Sequence, residues 1–323
     1  MNTQVKRQVL GIQQDVFMKK YGIALVLLIM VVAVSIASPT FRTAGNIVSI
    51  FQQISINGIL AFGMVFVITA GGIDLSIGSM LALASVIIGS VLKSTDSVFL
   101  AIIVSILACA LCGLVNGLLV AKFKMFPFVV TLSTQLVIRG IAYIIGHGKS
   151  ITLENAGFRQ IGLGRVFDFL PYTVLILLAV AVVAYLLLHW TKFGRYIYAV
   201  GGNIHSALAS GVNVFRTTVW SYVLMGICCG IAGVILTSRI NASQPNVGIG
   251  YETDTIAACV IGGTSFAGGV STIPGTMVGI IIIGVIYNGM NLLKIDSYYQ
   301  TVVKGLLIIG AVLLDMFMNR KRS

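Results

Sequence analysis

Acidic side chains within apolar sequence are the residues of this chain with the most chemical potential. Asp74 and Ser76 follow two glycines, and Tyr251, Glu252 and Asp254 begin a second polar segment. A carboxylate near a bilayer is costly and by default indicates a pathway, a gate or a proton relay. The same residue types also suit helix N-termini, where they accept hydrogen bonds from free N–H groups. The pattern therefore predicts pathway or gate residues at these five positions, with helix capping as the structural alternative.

A polar segment between two apolar stretches, residues 190–216, is the second candidate site. A helix that is apolar on one side and basic on the other would form a docking surface at the face of a bilayer. An ordinary connecting loop held at the headgroups is the alternative, and the residues alone leave both open. The residues that we assign to docking are Thr191, Phe193, Gly194, Arg195, Gly201, Gly202, Asn203 and Gly211.

Enzymatic chemistry has no support in the residue pattern. The chain contains no phosphate-binding G-x-x-x-x-G-K-[ST] loop and no nucleophile elbow. Cys109 and Cys112 form a C-x-x-C inside an apolar run with no further ligands nearby, which indicates small buried side chains. The histidines have no ligand spacing: His147, His189 and His205. We expect no catalytic residue, no metal site and no cofactor bound by this chain.

The elements that must position these residues are long apolar helices. Hydrophobic residues make up 58% of 323 residues, charged residues make up 9%, and the mean hydropathy is +1.03. Soluble domains carry about 25% charged residues, so this chain has too few to cover a surface in water. A membrane span needs about 20 apolar residues, and the sequence offers about ten such stretches. The predicted spans are 22–38, 47–70, 77–92, 98–120, 127–146, 172–189, 217–238, 253–266, 273–293 and 299–318.

The basic residues are distributed unequally between the two sides of these spans. The net charge is +12, and twelve cations fall on the side of the N-terminus against seven on the other side. The positive-inside rule then places both termini in the cytoplasm. This bias accounts for the charge without a nucleic-acid partner, because no basic run with interleaved aromatic residues is present.

The sequence also contains two similar glycine-rich segments. Residues 68–79 and 260–271 each follow one apolar stretch and precede another. Since each half of the chain holds about five spans, an odd number, two copies would have opposite orientations. We therefore expect an all-α polytopic membrane protein, with about ten transmembrane helices in two inverted pseudo-repeats that form a single domain over residues 1–323.

Several motifs together resemble the ribose-type ABC importer permeases. They are residues 191–203, 210–213, 71–76, 250–258, 262–265, 288–293 and 298–300 with Lys304. The similarity extends from about Phe41 to Asp315. Ribose, galactose, arabinose, xylose, allose and autoinducer-type permeases share this pattern. Thr253 and Thr255 depart from it, because the family often has Leu and Ala beside the acidic pair.

The resemblance implies a multi-pass subunit of the bacterial cytoplasmic (inner) membrane that imports a monosaccharide. It implies a second permease copy as a homodimer partner and a cytoplasmic subunit that binds ATP and Mg. It also implies a periplasmic or extracellular sugar-binding protein outside and membrane lipid around the helices. Segment 190–216 would then be the coupling loop that receives the ATPase stroke.

Two other transport mechanisms fit the span count and the charge bias. A proton-coupled secondary transporter would use Asp74, Glu252 or Asp254 as relay groups and would work without partner subunits. A passive channel would show no dependence on energy. The importer requires an ATPase, and the residues alone do not separate these three.

Overall fold

The computed structural model describes residues 24–167 and 169–319, which form a bundle of long helices joined by short elements. Within these described residues, seven helices are long and apolar enough to cross a membrane. They are α2 (Ala44–Thr69), α3 (Ile77–Thr95), α4 (Val98–Phe123), α5 (Pro127–Ile145), α7 (Tyr172–Trp190), α10 (Val214–Ile240) and α12 (Ile273–Leu292). The predicted all-α, polytopic architecture is confirmed.

The remaining elements are shorter or lie at the ends of the described chain. Helix α1 is described over Ala24–Ala37, and α13 covers Ser297–Asn319. A 3-10 turn covers Pro39–Arg42. The other elements are β1 (Ile151–Thr152), α6 (Ala156–Leu163), β2 (Arg165–Val166), β3 (Leu170–Pro171), α8 (Lys192–Gly202), α9 (Ile204–Ala209), β4 (Ala242–Ser243) and α11 (Tyr251–Ile261).

The predicted spans and the observed helices differ most at the eighth span. The prediction was 253–266, but α11 ends at Ile261 because Gly262 and Gly263 turn the chain, with Gly263 at φ +87°. The first predicted span, 22–38, begins outside the described residues, and the basic residues before it lie outside them. The basic residues after α13 lie outside them as well.

Two ends of the bundle carry different elements. At one end, which we call the β1 face, β1 pairs antiparallel with β4, and α6 packs against α10. The Ser238 hydroxyl accepts a hydrogen bond from the Gly162 amide at 2.7 Å and donates one to the Phe158 carbonyl at 2.6 Å. At the other end, the α8 face, lie α8, α9 and the turn after α11.

Small residues bring α4 and α10 into close contact in the core. A Cβ on Gly113 or Gly117 of α4 would meet the backbone of Tyr222 or Val219. On α10, Gly226 and Gly230 lie equally close to the backbone of α4. Glycines spaced four apart on both helices allow this approach, which replaces hydrophobic burial as the source of helix association in lipid.

The matched glycine-rich segments lie at the same face of the bundle. The amide of Gly269, after α11, donates a hydrogen bond of 2.9 Å to the carbonyl of Thr69, at the end of α2. Inverted copies would lie at opposite faces, so the pairing of 68–79 with 260–271 as inverted copies is wrong. Gly-rich turns resemble one another in sequence because they share backbone requirements, whatever their place in the fold.

Candidate functional site

Helix α8 begins directly after α7 because Thr191 redirects the chain. Its hydroxyl donates to the Leu187 carbonyl at 2.6 Å and accepts from the Gly194 amide at 3.2 Å, so it ends one helix and caps the next. Gly194 is buried, and a Cβ there would meet the carbonyl of Leu188. The turn therefore requires a small residue, and it holds α8 across the end of α7.

The inner side of α8 packs on the end of α2 and on the turn at 262–272. The Phe193 ring stacks on that of Phe66, with centroids 6.3 Å apart. A Cβ on Gly201 would overlap the Thr69 carbonyl and crowd the Gly269 amide. Helix α8 therefore touches two different parts of the bundle at once.

A hydroxyl cluster joins the same three elements. The Tyr198 hydroxyl donates to the carbonyl of Ser271 at 2.8 Å, and the Thr69 hydroxyl donates to the Ser271 hydroxyl at 2.6 Å. Burial raises the pKa of the Tyr198 hydroxyl above its ordinary value, although its contact with Ser271 lowers it. The tyrosine therefore keeps its proton and remains a donor.

The outer side of α8 and α9 is open to solvent. Arg195, Gly202 and Asn203 are exposed, and a Cβ added to Gly202 meets nothing within 4 Å. Asn203 caps α9 by accepting from the Ser206 amide at 2.9 Å, and Gly211 supplies the left-handed turn into α10 at φ +75°. The predicted docking residues thus divide into an inner set that fixes α8 and an outer set that is free.

The exposed side also carries large apolar side chains. Ile204 and Leu208 lie one turn apart on α9 and are 46% and 56% exposed. Beneath them Val200, Ala207 and Val212 form a small buried cluster that holds α8 and α9 together. Exposed apolar side chains on α9, together with the exposed Arg195 on α8, give this side of the bundle a surface suited to a partner.

Asp74 lies fully buried in the break between α2 and α3. Its Oδ1 accepts hydrogen bonds from the amide of Ser76 at 2.9 Å and from the hydroxyl of Ser76 at 2.6 Å. The Asn116 amide of α4 donates to the Ser76 hydroxyl at 2.9 Å and approaches Asp74 Oδ2 at 3.4 Å. Ser76 stands at the N-cap of α3 without a side-chain cap bond, so the expected capping of α3 by these side chains is replaced by a closed cluster.

A second break enters from the β1 face before α11. The Ser243 hydroxyl donates to the carbonyl of Ser85 at 2.9 Å. The Arg139 guanidinium of α5 donates to the carbonyls of Pro245 and Val247 at 2.9 and 2.7 Å. Segment 241–250 therefore runs back along α3 as the short strand β4 followed by turns, and side chains from α3 and α5 satisfy several of its polar backbone groups. Irregular backbone at membrane depth requires hydrogen-bond partners of this kind for its amide and carbonyl groups.

The two breaks meet where α3 and α11 begin. Glu252 Oε1 accepts from the Gly250 amide at 3.2 Å. A Cβ on Gly78 would lie 2.6 Å from Glu252 Oε2 and would meet the backbone of Gly248. Tyr251 and Glu252 are partly buried at this junction, and Glu252 Oε2 has no hydrogen-bond partner among the described residues.

Asp254, one turn into α11, takes part in a charged network across three helices. The Lys304 ammonium of α13 lies 3.0 Å from Asp254 Oδ2, and the Tyr287 hydroxyl of α12 donates to Asp254 Oδ1 at 2.6 Å. The same ammonium lies 4.5 Å above the Tyr287 ring. Glu252 and Asp254 do lie in the first turn of α11, as predicted, but Asp254 also neutralises a cation from another helix.

The predicted residues form two separate groups. The docking residues gather at the α8 face, and the acidic residues gather at the breaks before α3 and α11. Sequence reasoning missed Tyr198, Ser271, Thr69 and Tyr287, whose roles depend on partners far away in the chain. Among the described residues no group of three or more His, Cys, Asp or Glu could hold a metal ion.

Comparison with known proteins gives consistent matches over most of the chain. The family model described as "Branched-chain amino acid transport system / permease component" matches residues 46–312. The ribose import permease protein RbsC of Bacillus subtilis is 45% identical over 325 residues, covering 100% of this chain and 98% of that protein. No solved structure matches the chain.

Two relatives carry a different sugar in their names. The L-arabinose transport system permease protein AraH of Escherichia coli is 39% identical, over 94% of this chain and 92% of that protein. The L-arabinose ABC transporter permease protein AraH of Azospirillum brasilense is 36% identical, over 93% of this chain and 88% of that protein.

Proposed function

The chain belongs to the permease-component family that this model describes, as a ribose-type ABC importer permease, and on that premise we propose that it imports a monosaccharide. A separate ATPase subunit supplies the energy, and a sugar-binding protein delivers the solute. The observation that carries the proposal is similarity over nearly the whole chain to permeases named for ribose and arabinose. The chain is a transport subunit and not an enzyme, and ATP and Mg belong to the partner subunit.

Ten helices cross the membrane in this proposal. Helices α1, α11 and α13 join the seven long apolar helices. Helix α11 has 11 residues and is about 16 Å long, so it crosses only together with the segments on either side of it. Alternation along the ten then returns the chain to the side on which it began.

The ten helices form two inverted halves with α2 equivalent to α10, α3 to α11, α4 to α12 and α5 to α13. The packing supports this assignment. Helix α3 packs against α4, α5 and α10, and α11 packs against α12, α13 and α2. Helix α10 packs against α3 and α4, just as α2 packs against α11 and α12. Under this pairing the break at 70–76 corresponds to the break at 241–250, each entering from its own face.

The α8 face lies in the cytoplasm, with both chain termini on the same side, in the bacterial inner membrane. The excess of Lys and Arg counted on that side of the spans supports this orientation. Seven of the twelve cations on that side lie in residues 1–23 and 320–323, and they account for the whole of that excess. Residues 1–323 make up one membrane domain surrounded by lipid, and 190–216 is its coupling loop.

The ATPase subunit docks on the outer side of α8 and α9, and a second permease copy completes the pathway. The exposed pair Ile204 and Leu208 on α9 and the exposed Arg195 on α8 support this docking, because they offer apolar and charged contacts to a partner. In this arrangement Thr191, Phe193, Gly194 and Gly201 hold α8 against the bundle.

The two breaks line the pathway or its gate, with Asp74 and Ser76 at one and Tyr251, Glu252 and Asp254 at the other. Paired interruptions in corresponding helices are where transporters place their solute route. The contact of Glu252 with Gly78 supports this, because it joins the breaks across the interior.

Reconstitution tests the proposal directly. The permease in proteoliposomes, with its ATPase subunit inside and the sugar-binding protein outside, should accumulate radiolabelled ribose or arabinose only when ATP is present. A proton-coupled transporter would instead accumulate sugar without the ATPase under a pH gradient. A channel would equilibrate sugar without energy. Either result with the permease alone would overturn the proposal.

A further inference from the structure

Helices α11 and α12 and the turn between them behave as one packed hairpin. A Cβ on Gly275 would overlap the carbonyl of Gly262, and one on Gly279 would overlap the carbonyl of Ala258. Such close backbone contacts leave little room for the two helices to slide past each other. A displacement of turn 262–272 is therefore passed to both helices together.

The turn is connected to α8 in two physically different ways. Gly268 lies against the backbone of Gly201 and Gly269 against that of Gly202, a contact that resists compression but not separation. The hydrogen bond from the Tyr198 hydroxyl to the Ser271 carbonyl, at 2.8 Å, resists separation. Packing can therefore transmit a push from α8, and the hydrogen bond can transmit a pull.

We propose that the α11–α12 hairpin is the element moved by α8, and that Tyr198 is the positioning residue that lets α8 pull it. This inference rests on the proposed function, in which α8 receives the ATPase stroke. A transport cycle contains a forward and a return movement. An α8 that could only push would move the hairpin in one of these movements and not in the other.

The far end of the same hairpin reaches the interior carboxylates. Glu252 in the first turn of α11 lies against Gly78 of α3, and Asp254 is bound to Tyr287 of α12 and Lys304 of α13. A shift of the hairpin at the α8 face therefore changes the junction between the two breaks. The Tyr198 link is the first step of that route.

Tyr198→Phe tests the link, since it removes one hydroxyl and keeps the ring. The control is Tyr172→Phe at the start of α7, on the β1 face, where the side chain is 37% exposed and lies away from the proposed docking surface. A typical hydrogen bond shifts an equilibrium by about 2- to 10-fold. We therefore expect Tyr198→Phe to raise the ATP hydrolysed per sugar imported by about that factor in the reconstituted complex, with assembly unchanged. Equal ratios in the two variants would overturn the inference.

Amide hydrogen exchange gives a second measurement that does not depend on transport. In the wild-type complex, ATP binding should change the exchange of residues 262–272, and Tyr198→Phe should abolish most of that change. The inference fails if the change persists in Tyr198→Phe. Absence of ATP-dependent import by the wild-type complex would instead overturn the proposed function, so the two failures are distinguishable.

Discussion

The carbonyl oxygen of Thr69 accepts a hydrogen bond of 2.9 Å from the amide of Gly269, which lies 200 residues further along the chain. This bond joins the end of α2 to the turn after α11, and α8 packs against both. Gly201 lies directly against this bond, so at this point α8 contacts the ends of two widely separated segments through backbone atoms.

Gly201→Ala should therefore displace α8. The added methyl group would overlap the Thr69 carbonyl, and backbone atoms cannot rotate out of the way. We expect a loss of roughly 1–3 kcal/mol of stability and a marked fall in ATP-dependent uptake. Thermal melting in detergent and uptake assays measure these, and Gly202→Ala, with open space at its Cβ, is the matched control. A melting temperature equal to that of the control would contradict the packing argument.

Gly202→Trp should block docking without disturbing the fold. The residue is exposed and its Cβ would meet nothing within 4 Å, so the indole would project from the outer side of α8. We expect an unchanged melting temperature and a loss of about tenfold or more in the copurified ATPase subunit. A tenfold loss of affinity corresponds to about 1.4 kcal/mol of binding free energy. Gly45→Trp, open at the β1 face, is the control. Normal ATP-dependent uptake by Gly202→Trp would count against the coupling-loop assignment.

Lys304→Met should destabilise the protein because it leaves the Asp254 carboxylate buried beside Tyr287 without its cation. Removing one member of a fully buried pair costs roughly 3–5 kcal/mol. Since the Lys304 side chain is 30% exposed, we expect a smaller loss, roughly 1–3 kcal/mol. The double variant Asp254→Asn with Lys304→Met should recover much of that loss. Additive losses in thermal melting would show that the two groups do not interact.

Asp74→Asn should lower the stability of the protein, but ATP should remain the energy source for import. The amide nitrogen would replace one acceptor in the cluster with Ser76 and Asn116, at a cost of roughly 1–3 kcal/mol. Import should still require ATP and should keep the wild-type dependence on pH on both sides of neutrality. A proton relay through Asp74 would instead make uptake by this variant independent of a pH gradient, and that result would reject the importer reading.

Much of the helical architecture can be predicted from the sequence because lipid imposes a simple requirement on it. Residues 98–120 and 127–146 were predicted as spans, and α4 and α5 begin at the same residues, where Ser97 caps α4 and Pro127 starts α5. These signals are local, since a cap acts on an amide three residues away. Gly262 also stops α11 locally, but glycine is frequent inside transmembrane helices, so it does not mark a helix end by itself.

The contacts that organise the site could not be predicted in the same way. The partners Tyr198 and Ser271 are 73 residues apart, and Asp254 and Lys304 are 50 apart. A residue pattern reports which solvent a helix face prefers, but it carries no record of which distant backbone carbonyl a hydroxyl will reach. The similar glycine-rich segments misled the repeat assignment for the same reason.

The shortness of α11 constrains how the protein is made. At about 16 Å it covers about half of a hydrocarbon core about 30 Å thick, and the turn residues before it, 244–250, have amide and carbonyl groups that lipid cannot satisfy. This segment therefore cannot enter the bilayer as an independent unit and must wait for α3, α5 and α12 to enclose it. A chain truncated after Ile261 should accordingly leave residues 241–261 open to protease digestion, whereas the full chain should protect them.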